Sequence, residues 1–194
     1  MNVVAYTSTH TSEWEKGAWV QPGTKEDMLA KYEGFSEPVK RVLGLVETVN
    51  MWALFDHLPI SSFHHQGKIC LLGDAAHAST PHHGAAAGMA VEDALVLTKL
   101  LASIHDRNEL EAAFSAYDTV RRERSQRLVS SSRKVATVYD LEDPDIKDDM
   151  AKTAAYLRQA WDWIWHEDVE AQVANALSIC SRRSRIRQRR ELCR

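Results

Sequence analysis

The stretch GKICLLGDAAHASTPHHGAAAGMAVEDALVL, residues 67–97, concentrates residue types that can hold a ligand. Its apolar run ends at Gly73, where the missing side chain lets another group approach closely. Asp74 follows at the carboxyl end of that run, the position at which open α/β sheets receive ligands. A carboxylate there can accept hydrogen bonds from the hydroxyls of a sugar or sugar alcohol. Past a turn at Pro81, the string Gly84, Ala85, Ala86, Ala87 and Gly88 leads into an apolar helix. Small side chains leave the backbone N–H groups open, and a helix start adds partial positive charge, which suits an anionic or electron-rich ligand edge. Taken alone, this pattern says only that a ligand could sit at a strand–loop–helix junction. A tight turn with close helix packing would use the same residues.

Other chemistries have weaker support. His77, His82 and His83 invite a metal, but their spacing matches no zinc pattern and no cysteine or paired carboxylate completes a set, so none is expected. Asp74 and His77 with Ser79 or Ser61 could be drawn as a hydrolase triad, yet no GxSxG elbow accompanies them. Asp56 and His57 could face a substrate or form a surface turn before Pro59. The Trp161–Trp165 cluster, and likewise Met51 and Trp52, read as packing.

The elements that must position these residues follow from pattern. Residues 2–7, NVVAYT, are β-branched and aromatic and predict a strand. Thr24 with Asp27 forms a capping box for a helix over 25–33, ended by Gly34, and Ser36 with Pro38 opens a second helix. Residues 49–56 predict another strand. KICLLG, residues 68–73, predicts a strand buried on both faces, as in a parallel sheet. A helix over 88–103 carries Val91, Ala94, Leu95, Leu97, Leu100 and Leu101. Asn108 with Glu111 caps the next, whose stripe of Leu110, Ala113, Phe114, Tyr117 and Val120 packs on a core to about Val138. An acidic DLEDPDIKDD segment precedes a final helical region over 145–179.

The composition, 44% hydrophobic and 26% charged over 194 residues, fits one good core and excludes a disordered chain. No run of about 18 apolar residues occurs, so a membrane-spanning helix is not expected. The opening residues lack the basic start and apolar stretch of a signal peptide. Cys70, Cys180 and Cys193 are widely spaced and odd in number, which points to a reducing, cytoplasmic setting. The net charge of −3 hides an asymmetry: residues 181–194 hold seven arginines against one glutamate. A basic tail can bind nucleic acid, but no aromatic residue interleaves these arginines, so a solvated, disordered end is expected.

As a whole, residues 67–97 resemble the second flavin-binding motif of the class A flavoprotein monooxygenases: a strand, GDAAH at 73–77, a proline loop at Pro81, a Gly-rich turn at 84–88, and a helix with Glu92 and Asp93. The segments VNMWALFDHLP, RRERSQRLVSSSR and WDWIWHEDVEAQ look like the salicylate hydroxylase-like branch, so the resemblance extends over about residues 1–180. It implies an α+β, helix-rich fold: a partial FAD-binding, GR2-type, p-hydroxybenzoate hydroxylase-like domain. Residues 1–66 would be a remnant of the substrate-binding sheet, 67–140 the C-terminal part of the FAD-binding domain, and 141–180 a C-terminal helical region. FAD would be the cofactor and NAD(P)H the transient reductant. O2 and a small, salicylate-like phenolic compound would be the substrates.

The resemblance also implies site roles. Gly73, Asp74 and Ala75 would face the ribityl–diphosphate region, and Gly84, Ala85, Ala86, Ala87 and Gly88 would line the turn, with amides at Ala87 and Gly88 toward the pyrimidine edge of the flavin. Pro81 and His82 would lie beside its reactive face. Ala86 stands where the branch commonly has glycine, which predicts either a displaced backbone there or an impaired close approach to the ring. The GxGxxG fingerprint and the DG motif of the family do not occur in these residues. The expectation is therefore half a cofactor site, and a chain that by itself binds FAD weakly or not at all. A non-catalytic interaction module is the competing reading, and self-association stays open.

Overall fold

The computed structural model describes residues 3–8, 14 and 17–192, of which 187–192 are described in backbone only. The chain divides into two compact units, Met1–Leu54 and Phe55–Arg194, whereas the sequence suggested a boundary after residue 66.

The first unit is small. Strand β1, Val20–Gly23, pairs antiparallel with β2, Val49–Trp52, placing Val20 opposite Trp52 and Gly23 opposite Val49. Between them lie helix α1, Lys25–Lys31, and helix α2, Glu37–Gly44. The Thr24 hydroxyl accepts the Asp27 amide at 3.0 Å, so the accepting half of the expected capping box is present. Ser36 precedes α2 with proline in its first turn, as expected, but makes no side-chain cap. Among the unit's described residues, Tyr32 and Leu43 are the buried apolar ones. The expected strand at 2–7 does not form over residues 3–7, and Asn2 lies outside the described residues. Strand propensity needs a neighbouring strand to act on. Here the Tyr6 carbonyl instead accepts the Tyr32 hydroxyl.

The second unit is helical and carries the site. Strand β3, His64–His65, pairs antiparallel with β4, Ile69–Cys70. The expectation of a parallel strand buried on both faces over 68–73 is therefore corrected. β4 is two residues long, with Ile69 54% and Leu72 39% exposed, because no other described strand of this chain covers that side. Helix α3, Asp74–His77, follows, then a 3₁₀ turn at Pro81–His83, then helix α4, Ala86–Ser103.

Helix α4 buries Met89, Asp93, Val96 and Leu100 and leaves Val91 69% exposed. Of the apolar residues expected on this helix, Leu100 is buried and Leu95 and Leu97 pack against the core, whereas Val91 and Leu101 are exposed. An almost uniformly apolar helix has no polar face to fix its rotation, and the buried line includes an acid.

Helix α5, Leu110–Tyr139, is the longest element. Its start is set by Asp106 and Glu109, a reciprocal capping box around the 3₁₀ turn Arg107–Glu109, rather than by Asn108 and Glu111. The pattern [ST]-x-x-[DE] has an aspartate analogue here, two residues upstream of the expected cap. Ala112, Ala113, Ala116 and Tyr117 of α5 join Phe63, Ala76, Val96, Leu100, Val173 and Ala176 in one core. Three helices complete the unit: α6, Met150–Gln159; α7, Asp162–Trp165; and α8, Val169–Leu192. Helix α8 continues through the arginine-rich segment expected to be disordered, while Cys193 and Arg194 lie outside the described residues. Among the described residues, no helix is long and apolar enough to cross a membrane.

Candidate functional site

Gly73 sits at the end of β4 with φ 57° and ψ −142°, a conformation that side chains rarely adopt. A Cβ there would lie 3.4 Å from Ala90 Cβ on α4, so the glycine permits both the turn and the helix approach. The turn delivers Asp74 and Ala75 to the first half of α3, where both are exposed. No side-chain partner occupies the Asp74 carboxylate among the described contacts.

The same turn is tied to α4 by a buried polar cluster. The Gly73 amide donates to Asp93 Oδ2 at 3.0 Å, and His77 Nε2 lies 2.5 Å from the same oxygen. Arg121 Nε of α5 donates to Asp93 Oδ1 at 2.8 Å. His77, Asp93 and Arg121 are fully buried. Arg121 also donates to Glu92 at 2.6 Å, to Gln172 at 2.7 Å and to the Met89 carbonyl at 3.2 Å. Arg124 grips both Glu92 oxygens at 2.9 and 2.8 Å, a bidentate geometry. Burial alone would raise the Asp93 pKa, but hydrogen bonds from His77, Arg121 and Gly73 overcome it and hold the carboxyl below its usual range. Glu92 is likewise held low against burial by Arg124 and Arg121. Buried carboxylates with such partners stay ionised.

The loop over 78–84 is held just as closely. The Ala78 carbonyl accepts the His57 amide at 2.8 Å. Ser132 Oγ of α5 donates to the Thr80 carbonyl at 2.6 Å, and accepts the Thr80 hydroxyl at 3.1 Å and the His83 amide at 3.3 Å. The Trp161 indole donates to the His83 carbonyl at 2.9 Å and packs against its ring at 4.9 Å. Pro81 is exposed and His82 half-buried on this loop. Burial lowers the pKa of both His82 and His83, so neither ring is a fixed cation at neutral pH.

Gly84 closes the loop in the left-handed region, φ 65°, and Ala85 caps α4 without any side-chain hydrogen bond. The first turn of α4 contains no acid. Ala87 and Gly88 are exposed, and a Cβ on Gly84 or Gly88 would meet nothing within 4 Å. The amides of Ala86, Ala87 and Gly88 belong to the first turn, which has no intrahelical partner for its N–H groups, at the positive end of an 18-residue helix. Ala86 is the first residue of the helix, and Gly84 alone in the turn takes a positive φ. Ala86 thus stands at a helical position, which accepts alanine better than glycine.

These residues fit the ring edge and ribityl chain of a flavin: an unengaged carboxylate at Asp74 and a set of unengaged amides at 86–88. They do not form a hydrolase site, since His77 faces Asp93 rather than Asp74. Asp56 is engaged by Arg133 at 2.7 Å. Among the described residues, no group of three or more metal-ligating side chains gathers.

Residues 13–132 match a protein family described as an FAD binding domain. The chain belongs to this FAD binding domain family. A 6-methylsalicylate 1-monooxygenase of Aspergillus terreus is 32% identical to it over 179 residues, covering 92% of this chain and 40% of the relative. A salicylate hydroxylase of Pseudomonas putida is 33% identical, with 91% and 42% covered. Among solved structures, a salicylate hydroxylase substrate complex superposes with a TM-score of 0.82 at 35% identity, over 89% of this chain and 42% of that one. HpxO of Klebsiella pneumoniae, complexed with FAD and uric acid, gives a TM-score of 0.54 at 25% identity, with 79% and 38% covered. The chain therefore spans about 40% of the length of the curated relatives it matches. Its helix-rich architecture is a partial FAD-binding fold of the salicylate hydroxylase-like kind.

The turns at Gly73, Pro81 and Gly84 fall where the glycines and the proline of the sequence put them, whereas the groups that hold them were not anticipated. The signal for Asp93 was present: Met89, Asp93, Val96 and Leu100 are spaced four, three and four apart, one helical line with an acid on it. Arg121 follows Tyr117 by four residues on an apolar line in the same way. Ser132 and Trp161 carry no such signal, because their partners are backbone atoms of a distant loop.

Proposed function

We propose that this chain supplies the ring and ribityl half of the FAD site in a flavin-dependent monooxygenase that hydroxylates a phenolic, salicylate-like compound with NAD(P)H and O2. The observation that carries this reading is the unengaged, acid-free start of α4, joined through Asp93 to the turn that exposes Asp74. Relatives named for salicylate and 6-methylsalicylate support the substrate class. When bound, FAD would accept a hydride from the nicotinamide and pass the electrons to O2. The chain's own part is to place backbone N–H groups of Ala87 and Gly88 where negative charge collects at the ring edge. Asp74 accepts ribityl hydroxyls, Gly73 and Ala75 leave its approach clear, and Pro81 and His82 border the reacting face. The setting we propose is the cytoplasm, where Cys70 and Cys180 remain thiols, as they are here.

These residues contain no GxGxxG turn, so nothing in them cradles the adenosine diphosphate half. The 194-residue chain alone is therefore expected to bind FAD weakly and show little NADH oxidase activity. Titration followed by flavin fluorescence tests the assignment. Riboflavin and FAD should bind with similar, weak affinity, and ADP should not compete. Competition by ADP, or no quenching by riboflavin, would refute it, and the latter would leave a non-catalytic interaction module.

A further inference from the structure

The loop that feeds α4 is held through one residue's backbone. His83 has its N–H taken by Ser132 and its C=O taken by Trp161, and the chain turns left-handed at the next residue, Gly84. Ser132 is fully buried, and its hydroxyl uses its one proton on the Thr80 carbonyl and both acceptor positions on Thr80 and His83. Trp161 spends its single donor on His83. A φ of +65° at Gly84 then sets the direction in which α4 begins.

We propose that Ser132 and Trp161 are positioning residues for the flavin site: by fixing both peptide groups of His83, they aim the first-turn amides of α4 at the ligand. They touch neither substrate nor cofactor and act through the loop. The inference deepens the function proposed above and rests on it. It also assigns a role to the segment between α6 and α7, which lies beyond the matched residues 13–132. The placement is economical in physical terms. A hydroxyl on a long helix and an indole packed at a tilt against the His83 ring leave the loop few alternative conformations, so ordering it costs little when a ligand arrives.

Two readouts on the 194-residue chain test this: amide exchange at His83 and Gly84, and riboflavin affinity by fluorescence. Trp161→Phe keeps an aromatic ring but removes the donor, and Ser132→Ala removes the hydroxyl. Each should accelerate His83 exchange and weaken riboflavin binding roughly threefold to tenfold, the span of one lost hydrogen bond. Ser132→Thr, which restores the hydroxyl, should recover affinity. Arg133→Ala, a neighbouring change on α5 outside the loop contacts, should leave it unaltered. Unchanged His83 exchange in both Trp161→Phe and Ser132→Ala overturns the proposal, as does faster exchange with wild-type riboflavin affinity. If the unmutated chain fails to bind riboflavin, the functional reading itself falls and takes the positioning role with it. That outcome is told apart because it appears before any substitution.

Discussion

Replacing Arg121 by methionine would remove a fully buried guanidinium that meets Asp93, Glu92, Gln172 and the Met89 carbonyl. Glu92 keeps Arg124, so the damage falls on Asp93, which retains the Gly73 amide and His77 but loses its full positive charge. Breaking a buried pair from one side costs about 3–5 kcal/mol, because the remaining charge stays buried. For a unit of this size that corresponds to a fall of roughly 10–17 °C in melting temperature. Arg133→Met makes the natural comparison, since Arg133 is 52% exposed in its pair with Asp56 and should cost no more than about 1 kcal/mol. Urea unfolding followed by tryptophan fluorescence would measure both. The two acids also give the difference a pH signature. Their pKa values are depressed in the folded chain, below the usual 3.8 for Asp93 and 4.5 for Glu92. Their stabilisation is present in full above those values and is lost as pH falls through the lower folded ones. The penalty of Arg121→Met should therefore shrink below about pH 4. Equal midpoints for the two arginine variants at pH 7, or a penalty that grows in acid, would refute the reasoning.

Gly73→Ala should destabilise by about 1–3 kcal/mol, because alanine must take φ 57°, ψ −142° beside Ala90; thermal melting measures it. Asp74→Asn should leave the melting temperature within a degree or two, since the side chain is exposed, while weakening riboflavin binding several-fold by fluorescence titration. Ala86→Gly should not strengthen riboflavin binding, because the residue is already helical, and a clear gain would restore the idea of a flaw there. Cys70, its thiol pushed up to about 12 by burial and by the charges of Asp118 and Asp93, should react with a disulfide reagent at pH 8 far more slowly than in the unfolded chain, as peptide mass mapping can show.

The chemistry-bearing loop was legible because its signals are local. Glycine and proline fix backbone conformation at their own positions, so Gly73, Pro81 and Gly84 mark the turns wherever their neighbours lie. The helices around them were legible for the same reason, apart from the rotation of α4, which an unseen partner decides. Strands depend on residues elsewhere. VQPG gives no strand signal, since proline and glycine disfavour sheets, yet Val20–Gly23 pairs with Val49–Trp52. NVVAYT carries the stronger signal, and residues 3–7 form no strand. The cluster around Asp93 was hidden because burial of an acid is decided by which arginine reaches it, across 28 residues of chain in the case of Arg121.

Helix α5 touches the site through a series of positions along its length. Asp118 accepts the Phe63 amide, Arg121 and Arg124 hold the acids of α4, Gln126 reaches the Ile60 carbonyl and Ser132 fixes the loop. Each added or deleted residue in a helix rotates everything beyond it by about 100° and shifts it by about 1.5 Å. A single-residue insertion near Ala116 would therefore throw all of these contacts out of phase together, while most exposed positions of the same helix could be substituted freely. Length, more than identity, is what selection should defend in α5: sequences sharing this site are expected to drift along the helix's solvent face and to align across it without gaps.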